Sequence, residues 1–265
     1  MNVFENISLT INRNDIVVVL GHNGVGKTTL FYLMMGILKP SRGRVIIAGK
    51  KVGQDKETRI FIRDHVGFVF QDPNDQLFTP TVWDDIAFGP RNQGKEKQDL
   101  DIIVDDVAKQ LGITHLLDKK PHEISTGEKK LVAIATVLSI NPEIIILDEP
   151  LANLDARGKQ RVINTIKALN ASGKTIVFSA HDTLAAADLA RSALLVESNT
   201  IMKQGSCDTM LRDMLTLKEN GIDANPITEL FWRWQKTSMR GEKERLPITI
   251  DEAITLLRKM GEHSC

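Results

Sequence analysis

Cysteine is almost missing from this chain: Cys207 and Cys265 are the only two in 265 residues. They show no paired spacing and the six histidines are scattered, which excludes a disulfide framework and a structural zinc site. A reducing cytosol is the simplest compartment. Net charge is missing as well, because 34 basic residues balance 34 acidic ones. No overall field draws the protein to nucleic acid or to an acidic membrane surface, so a partner must be recognised locally. No apolar run approaches the length of a membrane-spanning helix, and the first residues lack a charged stretch followed by an apolar core. The sequence therefore predicts neither insertion nor targeting, and any service to a membrane comes from outside the bilayer. Internal repeats and low-complexity tracts are absent too. What is present is a 42% hydrophobic content, enough for one large domain or a medium domain with an appendage.

Against that background residues 21–28 stand out. Gly21-His22-Asn23-Gly24-Val25-Gly26-Lys27-Thr28 follows the apolar run Ile16 to Leu20 and opens onto Thr29-Leu30-Phe31-Tyr32-Leu33. Strand, glycine loop and helix in that order form a nucleoside-triphosphate loop. Its chemistry needs backbone N–H groups converging on a polyanion, glycines to let the main chain approach, and a helix N-terminus with its positive dipole end. Lys27 then reaches the β- and γ-phosphates. Thr28 places its hydroxyl on Mg²⁺, a hard cation that takes oxygen ligands. A plain glycine turn is the duller alternative, and three glycines followed by Lys-Thr argue against it.

Short β-rich runs recur at Val17 to Leu20, Arg44 to Ile47, Val66 to Phe70, Ile144 to Leu147 and Thr175 to Phe178. Helical patterns such as Leu131, Ile134, Ala135 and Leu138 lie between them. The alternation predicts an α/β fold with a largely parallel sheet. Leu194 to Val196, Ser198-Asn199 and Ile201-Met202 read as a hairpin. The main domain spans residues 1–220, and residues 221–265 form a C-terminal helical extension that packs either on the main domain or on another subunit, in the latter case as a dimerisation element. Asn225-Pro226 starts one helix, with Ile227, Leu230, Phe231 and Trp234 on one face. The charged stretch Lys236 to Arg245 reads as an exposed connection. Thr249 and Glu252 have capping-box spacing before a second helix, with Ile250, Ile254 and Leu257 as its apolar stripe.

The run Ile144 to Leu147 ends in Asp148-Glu149-Pro150. An interior strand that delivers carboxylates at its C-terminal edge places them where parallel-sheet proteins bind ligands. Asp148 suits Mg²⁺ binding, directly or through water. Glu149 suits orientation and activation of the attacking water, since phosphoryl transfer depends mainly on positioning and charge stabilisation. Both acids could instead cap a solvated strand end, a reading that the phosphate loop displaces.

Lys27, Asp148 and Glu149, joined by Ile124-Ser125-Thr126-Gly127-Glu128, resemble the ATP-binding cassette (ABC) ATPases. Gln71 looks like that family's Q-loop glutamine, Leu154-Asp155 like its D-loop and His181 like its switch histidine. The resemblance covers about residues 5–205. It implies a P-loop NTPase fold of ABC type with a helical subdomain, binding of ATP through residues 21–29, and use of Ser125, Gly127, Glu128 and Asp155 at the nucleotide. It also implies Gln71 as a Mg²⁺ ligand and as sensor of a membrane partner. His181, directly after the Ile176 to Phe178 run, is then a γ-phosphate contact. The stretch Gln71 to Phe78, continuing through Val82 and Ala87 to Pro90, is similar to the ATPases of energy-coupling-factor importers, which move cobalt, nickel or vitamins. Leu246-Pro247 to Ala253 resembles the C-terminal region of the same group.

The resemblance further implies a second ATPase subunit, the same chain or a close paralogue, and a transmembrane coupling subunit. It places the chain at the cytoplasmic face of the membrane as a peripheral protein with no nucleic-acid partner. The acids Asp72, Asp75, Asp84 and Asp85 around Leu77, Phe78 and Trp83 are expected to receive arginines of the transmembrane subunit. A soluble cassette ATPase acting on DNA or ribosomes is the alternative, disfavoured because neither a long heptad insertion nor a second cassette is present. A regulatory module without turnover would lack the acid after Asp148, and Glu149 is there.

Two departures from the family's pattern matter. The usual signature is Leu-Ser-Gly-Gly-Gln; here Ile124, Thr126 and Glu128 differ while Ser125 and Gly127 match. In the family this turn reaches the γ-phosphate held by the other subunit, where a glutamate would bring unwelcome negative charge. Ser125 and Glu128 also fit a capping box that would turn the carboxylate back. The second departure is the adenine-stacking aromatic ahead of the first strand: Met1-Asn2-Val3-Phe4 leaves Phe4 as the sole candidate.

Overall fold

A computed structural model describes residues 4–5, 7–181, 183–197, 200–237 and 245–262. In chain order the elements are β1 (Ile16–Leu20), α1 (Lys27–Met34), β2 (Ile46–Ile47), β3 (Lys50–Lys51), α2 (Lys56–His65), β4 (Val66–Val69), α3 (Val82–Asn92), α4 (Lys97–Leu111), α5 (Thr126–Leu138) and β5 (Ile144–Leu147). They continue as α6 (Ala156–Ala171), β6 (Thr175–Ser179), α7 (Thr183–Leu189), β7 (Ser192–Glu197), β8 (Thr200–Ser206), α8 (Cys207–Arg212), α9 (Met214–Glu219), α10 (Pro226–Thr237) and α11 (Ile250–Glu262). The chain divides into two compact units, one of residues 12–14 and 28–179, the other of 1–11, 15–27 and 180–265.

In the first unit β4, β5 and β6 run parallel, with Val66 opposite Ile144 and Ile144 opposite Thr175. Their near-continuous apolar sequence follows from burial on both faces, the usual state of parallel strands; Ile145, Leu147, Ile176 and Phe178 are wholly buried. Helix α5 packs on β4 so closely that a Cβ at Gly67 would lie 2.1 Å from Val137 Cγ1. Only glycine fits there. The expected strand over Arg44 to Ile47 shrinks to β2, which pairs antiparallel with β3 outside the parallel set. The cause is the turn: Ala48 and Gly49 both take positive φ, 47° and 81°, the conformation that closes a two-residue hairpin.

In the second unit β1 pairs parallel with β7, and β7 pairs antiparallel with β8. That is the expected hairpin, although its turn, Ser198-Asn199, lies outside the described residues. Cys207 is buried, gives its thiol to the Ala186 carbonyl, and is pushed up to about 12 by burial; it is an inert core residue. Cys265 and the stretch 238–244 of the expected connection lie outside the described residues.

The C-terminal helices are fastened by buried polar groups. Asn225 accepts the Ile227 N–H, which starts α10, and donates to the Ile248 carbonyl at 2.7 Å. Thr228 donates to the Pro247 carbonyl, and Arg212 bridges Asp208 and Glu252 at 2.6 and 2.9 Å. Both expected helices form, with two differences of detail. On α10 the inward face is held by Thr228 and Phe231, whereas Leu230 and Trp234 remain exposed. At α11 Thr249 accepts the Glu252 N–H, yet the Glu252 carboxylate returns to the Ile248 N–H instead of that of Thr249. Ile250, Ile254 and Leu257 form an apolar stripe that is 66%, 43% and 57% exposed.

Asn225→Ala leaves the Ile248 carbonyl and Ile227 N–H without their partner, a loss of about 1–3 kcal/mol. Chemical denaturation followed by far-UV circular dichroism measures it. An unchanged midpoint would show that the Asn225 contacts add nothing to stability.

Candidate nucleotide site

The phosphate loop leaves β1 with Gly24 and Gly26 at φ 80° and 107°, a backbone conformation that glycine takes without strain. Val25 is 6% exposed and anchors the loop, whereas His22 and Asn23 face solvent. Lys27, also 6% exposed, folds back and donates to the Gly21 and His22 carbonyls at 2.8 and 3.2 Å. An ammonium group so placed is held by its own loop at the point where a polyphosphate would enter. Thr28 and Thr29 form the first turn of α1.

At the C-terminal edge of β5 two hydroxyls hold the Asp148 carboxylate. Thr28 Oγ1 donates to Asp148 Oδ2 at 2.7 Å, and Ser179 Oγ donates to Asp148 Oδ1 at 2.6 Å. The same Ser179 oxygen accepts the Glu149 N–H at 2.8 Å, and Gln71 Nε2 donates to Glu149 Oε2 at 2.9 Å. Glu149 has φ 43°, a conformation costing about 1–3 kcal/mol in a residue with a side chain. The Ser179 contact holds that backbone in place. His181 follows β6 and is exposed; Ala180 before it donates to the Val19 carbonyl.

The signature turn forms a second cluster. Ser125 caps α5: its Oγ accepts the Glu128 N–H, while Glu128 Oε2 accepts both the Ser125 N–H at 2.8 Å and the Ser125 O–H at 2.7 Å. The expected capping box is therefore present. The Ser125 hydroxyl and main-chain N–H, in that order, hold the Glu128 carboxyl below its usual range. Asp155 caps α6 by accepting the Gly158 N–H at 2.7 Å. Between the two helix starts lies a cleft of about 400 Å³ lined by Ser125, Gly127, Glu128, Asp155, Arg157 and Arg161. Two helix N-termini favour an anion in it, while the arginines Arg157 and Arg161 are matched by the carboxylates Glu128 and Asp155.

Two residues escaped the sequence reading. Ser179 is wholly buried and ties Asp148 to Glu149; its sole sequence signal is its place at a strand end two residues before His181. Lys130 is 1% exposed and donates to the Phe70 and Gln71 carbonyls at 3.2 and 2.7 Å. Burial lowers its pKa to about 8, with Asp72, Asp148 and Glu149 opposing the shift. Phe4 is half-buried, and Met1 to Val3 lie outside the described residues.

The family model for the ABC transporter matches residues 4–152, more than half the chain. The chain is an ABC transporter ATPase. Among its relatives, an energy-coupling factor transporter ATP-binding protein EcfA of Methanocaldococcus jannaschii is 36% identical over 246 residues, covering 93% of this chain and 86% of the relative. Among solved structures, cbiO1 from Clostridium perfringens, described as part of the ABC transporter complex cbiONQ, has a TM-score of 0.75 at 33% identity. It covers 87% of this chain and 92% of its own. The ATP-binding cassette MJ0796, solved as a dimer bound to ADP and Pi, has a TM-score of 0.70 at 26% identity, covering 77% and 90%. This ATPase binds and hydrolyses ATP on a mixed α/β fold.

Two outcomes are expected for the ATPase. Ser179→Ala removes one partner from each acid, so kcat falls about tenfold while ATP affinity is kept, a loss near 1.4 kcal/mol in the transition state. Steady-state kinetics and equilibrium nucleotide binding separate the two effects, and an unaltered kcat contradicts the role given to Ser179. Glu128→Gln keeps the cap geometry and removes a negative charge, so the ATPase rate rises modestly; a large loss contradicts the charge argument. Because the Glu128 pKa is lowered, the cap is complete above the ordinary carboxylate range and opens as pH falls through the lowered value.

Proposed function

We propose that this ATPase is the motor subunit of an energy-coupling-factor type importer, moving cobalt or nickel ions or a vitamin. The observation that carries the catalytic part is the hydrogen-bonded line from Gln71 through Glu149, Ser179 and Asp148 to Thr28. The importer type is supported by the EcfA relative, matched along nearly its whole length, and by the likeness to cbiO1. These favour transport over a soluble cassette working on DNA or ribosomes. The motor sits as a peripheral subunit at the cytoplasmic face of the membrane; among the described residues no helix is long and apolar enough to cross it.

In this reading residues 21–29 wrap the polyphosphate with main-chain N–H groups, and Lys27 exchanges its two loop carbonyls for phosphate oxygens. A hydroxyl, a carboxylate and an amide oxygen from Thr28, Asp148 and Gln71 fit Mg²⁺, which takes hard oxygen donors and few protein ligands. Bound there, the ion supplies charge neutralisation of the phosphates. Glu149 orients a water and takes its proton as the water oxygen bonds to the γ-phosphorus; the bond from that phosphorus to the bridging oxygen breaks, leaving ADP and phosphate. His181 steadies the γ-phosphate by a hydrogen bond. Ser125, Gly127, Glu128 and Asp155 line the cleft that meets the nucleotide of a second ATPase subunit, either the same chain or a close paralogue. The exposed apolar stripe of α11 is the part of the C-terminal region suited to holding that subunit.

The transmembrane coupling subunit docks beside the Q-loop. Phe78 and Phe88 are 66% and 43% exposed and stack edge to face at 5.0 Å. Arg91 lies over Trp83 and pairs with Asp84. Asp85 is 2% exposed, accepts the Phe78 and Thr79 N–H groups through Oδ1, and has its pKa raised by burial. It shapes the loop from within; Asp84 pairs with Arg91 and the exposed Asp72 accepts the Asn74 N–H, so the exposed Asp75 is the acid we assign to a partner's arginine.

The test is affinity isolation of the full chain from detergent-solubilised membranes, with identification of what comes with it. A membrane subunit is expected, whereas ribosomal or DNA-repair proteins would overturn the importer reading. Asp75→Arg is expected to abolish solute uptake while basal ATPase stays intact; uptake at the wild-type rate removes Asp75 from the interface.

A further inference from the structure

We propose that Lys130 is a positioning residue for ATP hydrolysis: by holding the main-chain carbonyls of Phe70 and Gln71 it fixes the Gln71 side chain against Glu149. It thereby ties the Q-loop to the helix that carries the signature turn.

β4 pairs with β5 through Val69 and Leu147, and the Asp148 N–H takes the Val69 carbonyl. From Phe70 onward the main chain leaves this ladder, and its polar groups need other partners. Side chains supply them. The Phe70 N–H goes to Gln76 Oε1, and the Phe70 and Gln71 carbonyls go to Lys130. Gln76 is in turn held by the Ala133 carbonyl and Thr136 hydroxyl of α5 at 2.9 and 2.7 Å. Lys129 donates to Asn74 at 2.9 Å. Thus α5 grips residues 70–76 along two turns, and the Gln71 backbone has little freedom. Its side chain meets Glu149 at 2.9 Å.

A wholly enclosed lysine is costly compared with an apolar residue, and its neighbours on the helix, Leu131 to Ala135, are buried and apolar. A leucine at 130 would suit that packing but leave two carbonyls at the sheet exit without donors. The ammonium group has three N–H bonds, and here it spans two adjacent carbonyls on a chain that turns away from its strand. Displacement of the signature turn is then carried through α5 and Lys130 to Gln71, and so to the carboxylate expected to take the water's proton.

The test is a cycle of Lys130→Met, Gln71→Ala and the double variant in the full chain, read as kcat and KM for ATP hydrolysis, with Lys130→Arg as the conservative rescue. Lys130→Met is expected to lower kcat about tenfold or more with KM changed less than about twofold. Lys130→Arg recovers most of the rate. In the Gln71→Ala background, Lys130→Met adds less than about twofold, because both act through the same side chain. An unchanged kcat, or a Lys130→Met effect of equal size with and without Gln71, overturns the proposal. Where Lys130→Met does not fold, Lys130→Thr, too short to reach the carbonyls, takes its place in the same cycle.

Discussion

A carboxylate buried at the mouth of a parallel sheet sets the terms for the rest of the molecule. Asp148 is 5% exposed, and a charge in that position needs close hydrogen-bond donors. It has two, the hydroxyls of Thr28 and Ser179, contributed by the first turn of α1 and the last residue of β6. Three segments far apart in sequence are therefore locked to one group. The lock also fixes Glu149, whose left-handed backbone is kept by the same Ser179 oxygen. Strain at the residue best placed to handle a proton is consistent with a side chain aimed by its surroundings rather than by its own preference.

Polar side chains at helix starts and strand exits carry much of the remaining architecture. Ser125 and Asp155 close the first turns of α5 and α6 around the signature cleft. Lys130 and Gln76 serve the main chain where β4 leaves the sheet. Glu128 shows how one residue can serve two ends. As a cap it satisfies Ser125, and the same contacts keep its carboxyl below the usual range.

The local geometry of the candidate site was legible in the sequence because each part depends on local order: glycines before Lys-Thr, an apolar strand before paired acids, a serine three residues before a glutamate. The α/β fold with its β-hairpin after residue 192 was readable for the same reason, through period-two runs and their punctuation. Other features depend on contacts between distant segments and left no local trace. Ser179 and Lys130 look like an ordinary strand residue and an ordinary helix residue until β5 and β4 are set beside them. Asp85 resembles a surface acid by sequence and proves to be an inner brace, and Arg44 to Ile47 was drawn into a longer strand than its Ala-Gly turn permits. The exposure of Leu230 likewise could not be read, since amphipathic spacing does not say how much of a stripe finds a partner.

At the centre stands Glu149, which performs the hydrolytic step on a nucleotide bound by the loop around Lys27. Replacing it with glutamine preserves the shape and the contact with Gln71 while removing the proton acceptor. Measuring retained ATP and released phosphate on the purified Glu149→Gln protein separates binding from chemistry. The account predicts ATP held at wild-type affinity with phosphate release reduced about a hundredfold or more. Phosphate release at the wild-type rate would contradict it.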